Sequence, residues 1–274
     1  MDQRPIGVFD SGVGGLSILR QIRVLLPNED MLFFADQAHV PYGPRPLSEV
    51  RKFAEGITNF LLEQRSKLIV VACNTASAAA LHHLRSTFPM IPFVGMEPAI
   101  KPAAQTSRSR VVGVLATPAT FQGILFASVV ERFASDVTIL QQVLPNLVEL
   151  IEAGDLDGPE TQEILRQGVT PLLEQGADTL VLACTHYPFV IPLLSKLVGH
   201  DVQVIDPAPA IARQVGRLLK QHDLKSPAGN TGQLTYFTSG DPKKLNKLSL
   251  RLIGEIGDAK QVDWRGERLH LKSN

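Results

Sequence analysis

Residues 67–81 read KLIVVACNTASAAAL. The apolar, β-branched run Leu68, Ile69, Val70, Val71 predicts a strand buried on both faces. The pattern breaks at Cys73, Asn74 and Thr75. A small-residue helix is then expected over 76–84, with Asn74, Thr75 or Ser77 as its N-cap. Cys73 therefore stands at the carboxyl end of a strand and before a helix N-terminus, where open parallel sheets bind ligands. That N-terminus favours an anion and is expected to lower the thiol pKa from its ordinary ~8.5. The device recurs in residues 178–192, DTLVLACTHYPFVIP, where an apolar strand over 179–182 runs into Cys184. The two copies hold the two cysteines of the chain, 111 residues apart.

Other features repeat at the same distance. Pro98, Ala99 and Ile100 recur as Pro209, Ala210 and Ile211, again 111 residues on. IGVF at 6–9 is echoed by VGVL at 112–115, and Ala116-Thr117 stands where Asp10-Ser11 stood. The turn DSGVGG at 10–15 lets the backbone approach a ligand closely, but it lacks the third glycine of the dinucleotide fingerprint. Further strands are expected over 31–35, 92–95, 137–141 and 202–205. Helices are expected over 16–26, 47–64, 121–133, 147–154 and 159–175. The fold class is α/β: two pseudo-symmetric, doubly wound parallel-sheet domains with the active site in the cleft between them. The first domain is expected to take 1–97 plus 209–274 and to carry Asp10 and Cys73. The second takes 98–208 and carries Cys184 and His186. The tail, with a helix over 211–221, a flexible stretch over 226–232, a strand over 233–238 and a helix over 242–253, is expected to cover the first domain.

A chain of 274 residues suits two such domains. Lys plus Arg equals Asp plus Glu, 27 against 27, which gives no reason to expect nucleic acid or an acidic membrane surface as a partner. The opening MDQRPIGVFDSG has no signal-peptide pattern, and no apolar run approaches ~20 residues, so a cytoplasmic protein is expected. Two widely spaced cysteines suggest neither a disulfide framework nor a zinc site, and no metal is expected.

Two pseudo-equivalent thiols facing one cleft suit a particular chemistry. Inverting a stereocentre needs one group to take a proton from one face of a carbon and another to deliver a proton to the opposite face. No lysine stands in a pattern that suggests a pyridoxal Schiff base, and no cofactor is expected. Hydrogen bonds from helix N-termini and hydroxyls would then stabilise the carbanion, with Ser11, Asn74, Thr75, Thr117 and Thr185 as candidates. Asp10 can serve Cys73, and His186 can serve Cys184.

These residues fall in motifs. GVFDSG with GGLS, Pro41-Tyr42-Gly43, ACNTASA around Cys73 and CTHYP from Cys184 together resemble the bacterial glutamate racemases of the aspartate/glutamate racemase superfamily. The resemblance runs to about residue 215. It implies a cofactor-independent, two-base interconversion of L- and D-glutamate that supplies D-glutamate for peptidoglycan. By that analogy Cys73 removes the proton of D-glutamate and Cys184 that of L-glutamate. Asp10, His186 and a glutamate of LVELIEAG assist, with Glu152 favoured over Glu149. Substrate contacts map to Asp10, Ser11, Pro41, Tyr42, Gly43, Asn74, Thr75, Thr117, Thr120, Thr185 and His186. The resemblance allows a homodimer without fixing one. His39 departs from the Arg usual before the PYG motif. The alternatives are an aspartate racemase or other amino-acid racemase of the superfamily, a two-domain binding protein without chemistry, and a hydrolase using Cys184 and His186 alone.

Overall fold

Strand β1 (Ile6–Asp10) is buried along its whole length. Its side chains alternate between two cores: Ile6 and Val8 face one, Phe9 the other. The structure, a computed structural model, describes residues 2–227, 229, 231–255 and 257–272. After β1 come α1 (Leu16–Leu25), β2 (Met31–Ala35), α2 (Leu47–Glu63), β3 (Leu68–Val71), α3 (Asn74–Thr87) and β4 (Phe93–Gly95). A second series follows: α4 (Ile100–Thr106), β5 (Val111–Ala116), α5 (Pro118–Gln122), α6 (Ile124–Phe133), β6 (Thr138–Gln142), α7 (Leu147–Ala153), α8 (Pro159–Glu174), β7 (Thr179–Ala183), α9 (Ile191–Val198) and β8 (Gln203–Ile205). The tail adds α10 (Ala208–Gln221), β9 (Leu234–Thr238), α11 (Pro242–Ile253), β10 (Ala259–Arg265) and β11 (Arg268–Leu271).

The two sheets share one wiring. One contains the parallel order β2-β1-β3-β4 and the other is β6-β5-β7-β8, also parallel throughout. So β5 takes the place of β1 and β7 that of β3, and each cysteine follows the equivalent strand. In this order the connections diverge to opposite faces between β1 and β3, and the crevice at the carboxyl ends of those strands is the binding point of such sheets.

The tail returns to the first sheet. β9 pairs in parallel with β2, β10 with β9, and β11 closes an antiparallel hairpin, making seven strands. The hairpin was not expected from the sequence. Its outer positions are charged, and its inward apolar residues, Val262 and Leu269, are too few to show an alternation. Gly266, at φ +63°, opens its two-residue turn. One core runs through both series, from Ile6 and Leu16 to Leu147 and Leu182.

Several elements differ from expectation. The helix expected over 121–133 is two, because Gly123 is extended (ψ 139°) and separates α5 from α6. Helix α4 was hidden by its internal Pro102 and polar end. α10 begins at Ala208, with a proline in its first turn, rather than at 211. α3 begins at Asn74 and runs to Thr87. Of the stretch expected to be flexible over 226–232, residues 228 and 230 lie outside the described residues. Among the described residues, no helix is long and apolar enough to cross a membrane.

Candidate active site

The turn after β1 brings the two halves of the chain together. Asp10, fully buried, accepts the Gly15 N–H at 2.7 Å through Oδ2, while its Oδ1 has no hydrogen-bond partner. Burial raises its pKa, against the opposing pull of His186. The glycines of this turn allow close approach to the second series. A Cβ on Gly12 would collide with Glu152 Oε1, and one on Gly14 would collide with the His186 ring and meet Thr185 Oγ1 at 2.7 Å. Their bareness therefore serves packing against the opposite half of the site.

Cys73 is itself the N-cap of α3, in place of Asn74, Thr75 or Ser77. Its Sγ accepts the Ala76 N–H at 3.5 Å and lies 3.9 Å from Ser11 Oγ. The expected lowering of its pKa is reversed. Burial, and then the charge of Asp10, push the thiol well above the ordinary cysteine range and outweigh the N–H of the helix. Asn74 follows, buried, with both ends of its side-chain amide unpartnered. Thr75 Oγ1 meets Thr117 Oγ1 at 2.9 Å, a direct bond between the two series, and Thr117 meets Thr120 at 2.9 Å.

Across the cleft, Cys184 Sγ lies 3.9 Å from His186 Nδ1. The other ring nitrogen, Nε2, is 2.8 Å from Glu152 Oε1, which also accepts the Val13 N–H at 2.6 Å. Burial opposes a charged imidazole. The bonds to Cys184 and Glu152 outweigh it and hold His186 well above the ordinary histidine range. Burial likewise works against an ionised Glu152, but the bond and charge of His186 keep its pKa below the usual carboxylate value. The three form a chain: thiol, imidazole, carboxylate.

One cavity of about 20 Å³, room for about one water, is lined from both sides. Ser11, Pro41, Tyr42, Gly43, Cys73, Asn74 and Thr75 line it from the first series, and Thr117, Cys184, Thr185 and His186 from the second. Asp10, Glu152 and Thr120 do not line it; they stand behind Cys73, His186 and Thr117. The structure adds residues that sequence reasoning passed over. Val148, four residues before Glu152 on α7, lines the cavity. Asp36 takes the Tyr42 hydroxyl at 2.5 Å, and Gln37 reaches Glu152 Oε2 at 3.4 Å. The helical spacing of Val148 and Glu152 was a signal in LVELIEAG for the first; for Asp36 and Gln37 none was present. No cluster of three or more metal-ligating side chains is found among the described residues.

The sequence pattern of the Asp/Glu/hydantoin racemases matches residues 6–215. The chain belongs to that family. A glutamate racemase of Ectopseudomonas mendocina is 53% identical over 254 residues, covering 92% of this chain and 96% of that protein. One of Roseiflexus sp. is 51% identical over 91% of this chain and 92% of its own. Among solved structures, a glutamate racemase isoform of Bacillus anthracis superposes with a TM-score of 0.87 at 30% identity, covering 96% of this chain and 98% of that one. The Escherichia coli glutamate racemase, solved with L-glutamate and the activator UDP-MurNAc-Ala, gives 0.82 at 30% identity, covering 98% and 100%. The fold is the two-domain racemase fold, and the family makes the protein an isomerase.

Proposed function

We propose that the protein interconverts L- and D-glutamate by a two-base mechanism without a cofactor, supplying D-glutamate for peptidoglycan. One observation carries the reading: Cys73 and Cys184, pseudo-equivalent in the fold, line one cavity from opposite series, each with its own polar support. The relatives are glutamate racemases, which favours glutamate over aspartate as the substrate. A binding protein has no need of a supported thiol on each side, and a hydrolase has no need of Cys73. The domains we assign are 1–97 with 209–274, and 98–208.

In the forward direction Cys184, with His186 beside it, takes the Cα proton of L-glutamate. The electron pair left on Cα spreads into the α-carboxylate. Cys73, kept protonated by burial, gives its proton to the opposite face and becomes the thiolate. The reverse reaction exchanges the roles. Asp10 supports Cys73, and Glu152 supports His186. Ser11, Pro41, Tyr42, Gly43, Asn74, Thr75, Thr117 and Thr185 hold the substrate. The two unpartnered ends of the Asn74 amide suit its carboxylate and ammonium groups. Thr120 holds Thr117. The cavity, about 20 Å³, is smaller than glutamate, so binding needs it to widen.

The test is the purified protein with L-glutamate in D₂O and no added cofactor, followed by circular dichroism and deuterium uptake at Cα. Loss of optical activity with uptake of deuterium is expected, and Cys73→Ser should abolish the inversion as fully as Cys184→Ser. Turnover of aspartate instead would move the substrate assignment. No exchange with either amino acid, or loss in Cys184→Ser alone, would overturn the two-base reading.

A further inference from the structure

The mechanism leaves the buried polar cluster around Asp36 unused. Asp36, fully buried, follows β2 directly and lines no part of the cavity. Four donors from three parts of the chain converge on its carboxylate. Tyr42 OH is at 2.5 Å, Ser239 Oγ at 2.6 Å, Trp264 Nε1 at 2.8 Å and His39 Nδ1 at 3.0 Å. Tyr42 belongs to the loop that lines the cavity; Ser239 follows β9; Trp264 stands on β10. Apolar contacts reinforce the grouping. The rings of His39 and Phe53 stack at 4.0 Å, Tyr42 lies 5.6 Å from Phe53, and Trp264 lies 5.7 Å from it.

We infer that Asp36 is a positioning residue that holds the Pro41–Gly43 substrate loop, and that the C-terminal hairpin, through Trp264, is the anchor it holds against. The inference rests on the racemase reading above. The chemistry is that of a buried acceptor: a carboxylate accepts without donating, so four donors can be satisfied at once only by such a group. Burial and the neighbouring Asp36 keep the Tyr42 phenol protonated well beyond its ordinary range, so its O–H remains available as a donor. Oδ2 takes the loop, and Oδ1 takes the hairpin and the end of β9. One carboxyl group thus bridges the substrate side to the tail. It also explains why a tail without a cysteine unit of its own has a part in the site.

Because Tyr42 and its neighbours bind substrate and move no proton, loosening them should raise KM more than it lowers kcat. Trp264→Phe removes one neutral donor and keeps a smaller aromatic ring in its place. A KM about three- to tenfold higher is expected, as for loss of one hydrogen bond, with kcat within about twofold. Asp36→Asn should raise KM at least as much. Racemisation has an equilibrium constant of one, so kcat/KM falls by one common factor for both enantiomers. A cycle with Tyr42→Phe gives a readout that a general structural role would not move. If Asp36 acts through Tyr42, the double variant is no worse than the worse single one. Trp264 is the one tryptophan of the chain, so its emission reports in Asp36→Asn whether the amide oxygen keeps the hairpin bond or the loop bond.

Unchanged KM in Trp264→Phe would overturn the anchor. Unchanged KM in Asp36→Asn, or additive effects in the cycle, would overturn the positioning role. Should Asp36→Asn fail to fold, the Trp264→Phe and Tyr42→Phe cycle decides in the same way. A wild-type protein inert on glutamate but active on aspartate would overturn the substrate reading alone, since each comparison is a ratio to wild type and can be taken on aspartate.

Discussion

Changing Glu152 to Gln tests the thiol–imidazole–carboxylate chain at its far end, away from the substrate. Glu152 Oε1 has two partners, His186 Nε2 at 2.8 Å and the Val13 N–H at 2.6 Å. An amide supplies one acceptor oxygen and carries no charge. Placed where Oε1 stands, that oxygen can keep both Val13 and His186, but the imidazolium loses its counter-charge and the amide NH2 faces Gln37 Nε2. A hydrogen bond to a charged group contributes about 1.5–3 kcal/mol. If that support is realised in the transition state, kcat/KM should fall about 10- to 150-fold. The fall must be the same for L- and D-glutamate. The pH dependence has a definite sign. His186 is held well above 6.5 by Cys184 and Glu152 against burial, so the limb of activity that follows its deprotonation lies well above that value. Without Glu152 it moves down toward 6.5. Linked stability behaves likewise: the contribution of His186 is present below about 6.5 and is lost as pH rises through its folded value. The assay is initial racemisation rate by circular dichroism from pH 6 upward, with a urea melt as the check on folding. A folded variant with kcat/KM within twofold of wild type and an unmoved basic limb would refute the chain.

Gly14→Ala should lower both activity and stability. The added methyl meets the His186 ring and Thr185 Oγ1, and overpacking of this kind costs about 1–3 kcal/mol. Urea midpoints and rates measured together check this, and a variant of wild-type activity would show that the two halves do not press together there. Lys67 and Glu29 form a buried ion pair at 2.6 Å, remote from the cavity, in which Lys67 Nζ also bonds the Asp2 carbonyl at 2.6 Å. Lys67→Met should cost about 3–5 kcal/mol by stranding Glu29, and Lys67→Met with Glu29→Leu should recover most of it. Denaturant melts of the single and double variants decide, and the rate per folded molecule should not change in either.

Much of this was legible along the chain. The strand runs before Cys73 and Cys184 are unbroken and rich in β-branched residues, which places both thiols at strand ends. The 111-residue spacing carried the equivalence of the two series, and the shared strand order bears it out. What escaped was carried by few residues or by distant ones. The hairpin of β10 and β11 buries one main apolar side chain per strand. Helix α4 has a proline inside it. The sign of the Cys73 shift could not be read from its place before a helix, because that reading counts the N–H groups and not the depth of burial or the charge of Asp10.

Sequence by itself determined the chemistry on offer: two thiols, each at a strand end, with a histidine two residues from one of them and a carboxylate in the glycine-rich turn. Local patterns encode these because strand, turn and helix N-terminus follow from a few adjacent residues. Only the tertiary structure decided which groups support which. Glu152 meets His186 across 34 residues and Val13 across 139, and Asp36 meets Trp264 across 228. Such pairs arise from the packing of one series against the other and of the tail against the first sheet, and no period or spacing in the chain records them.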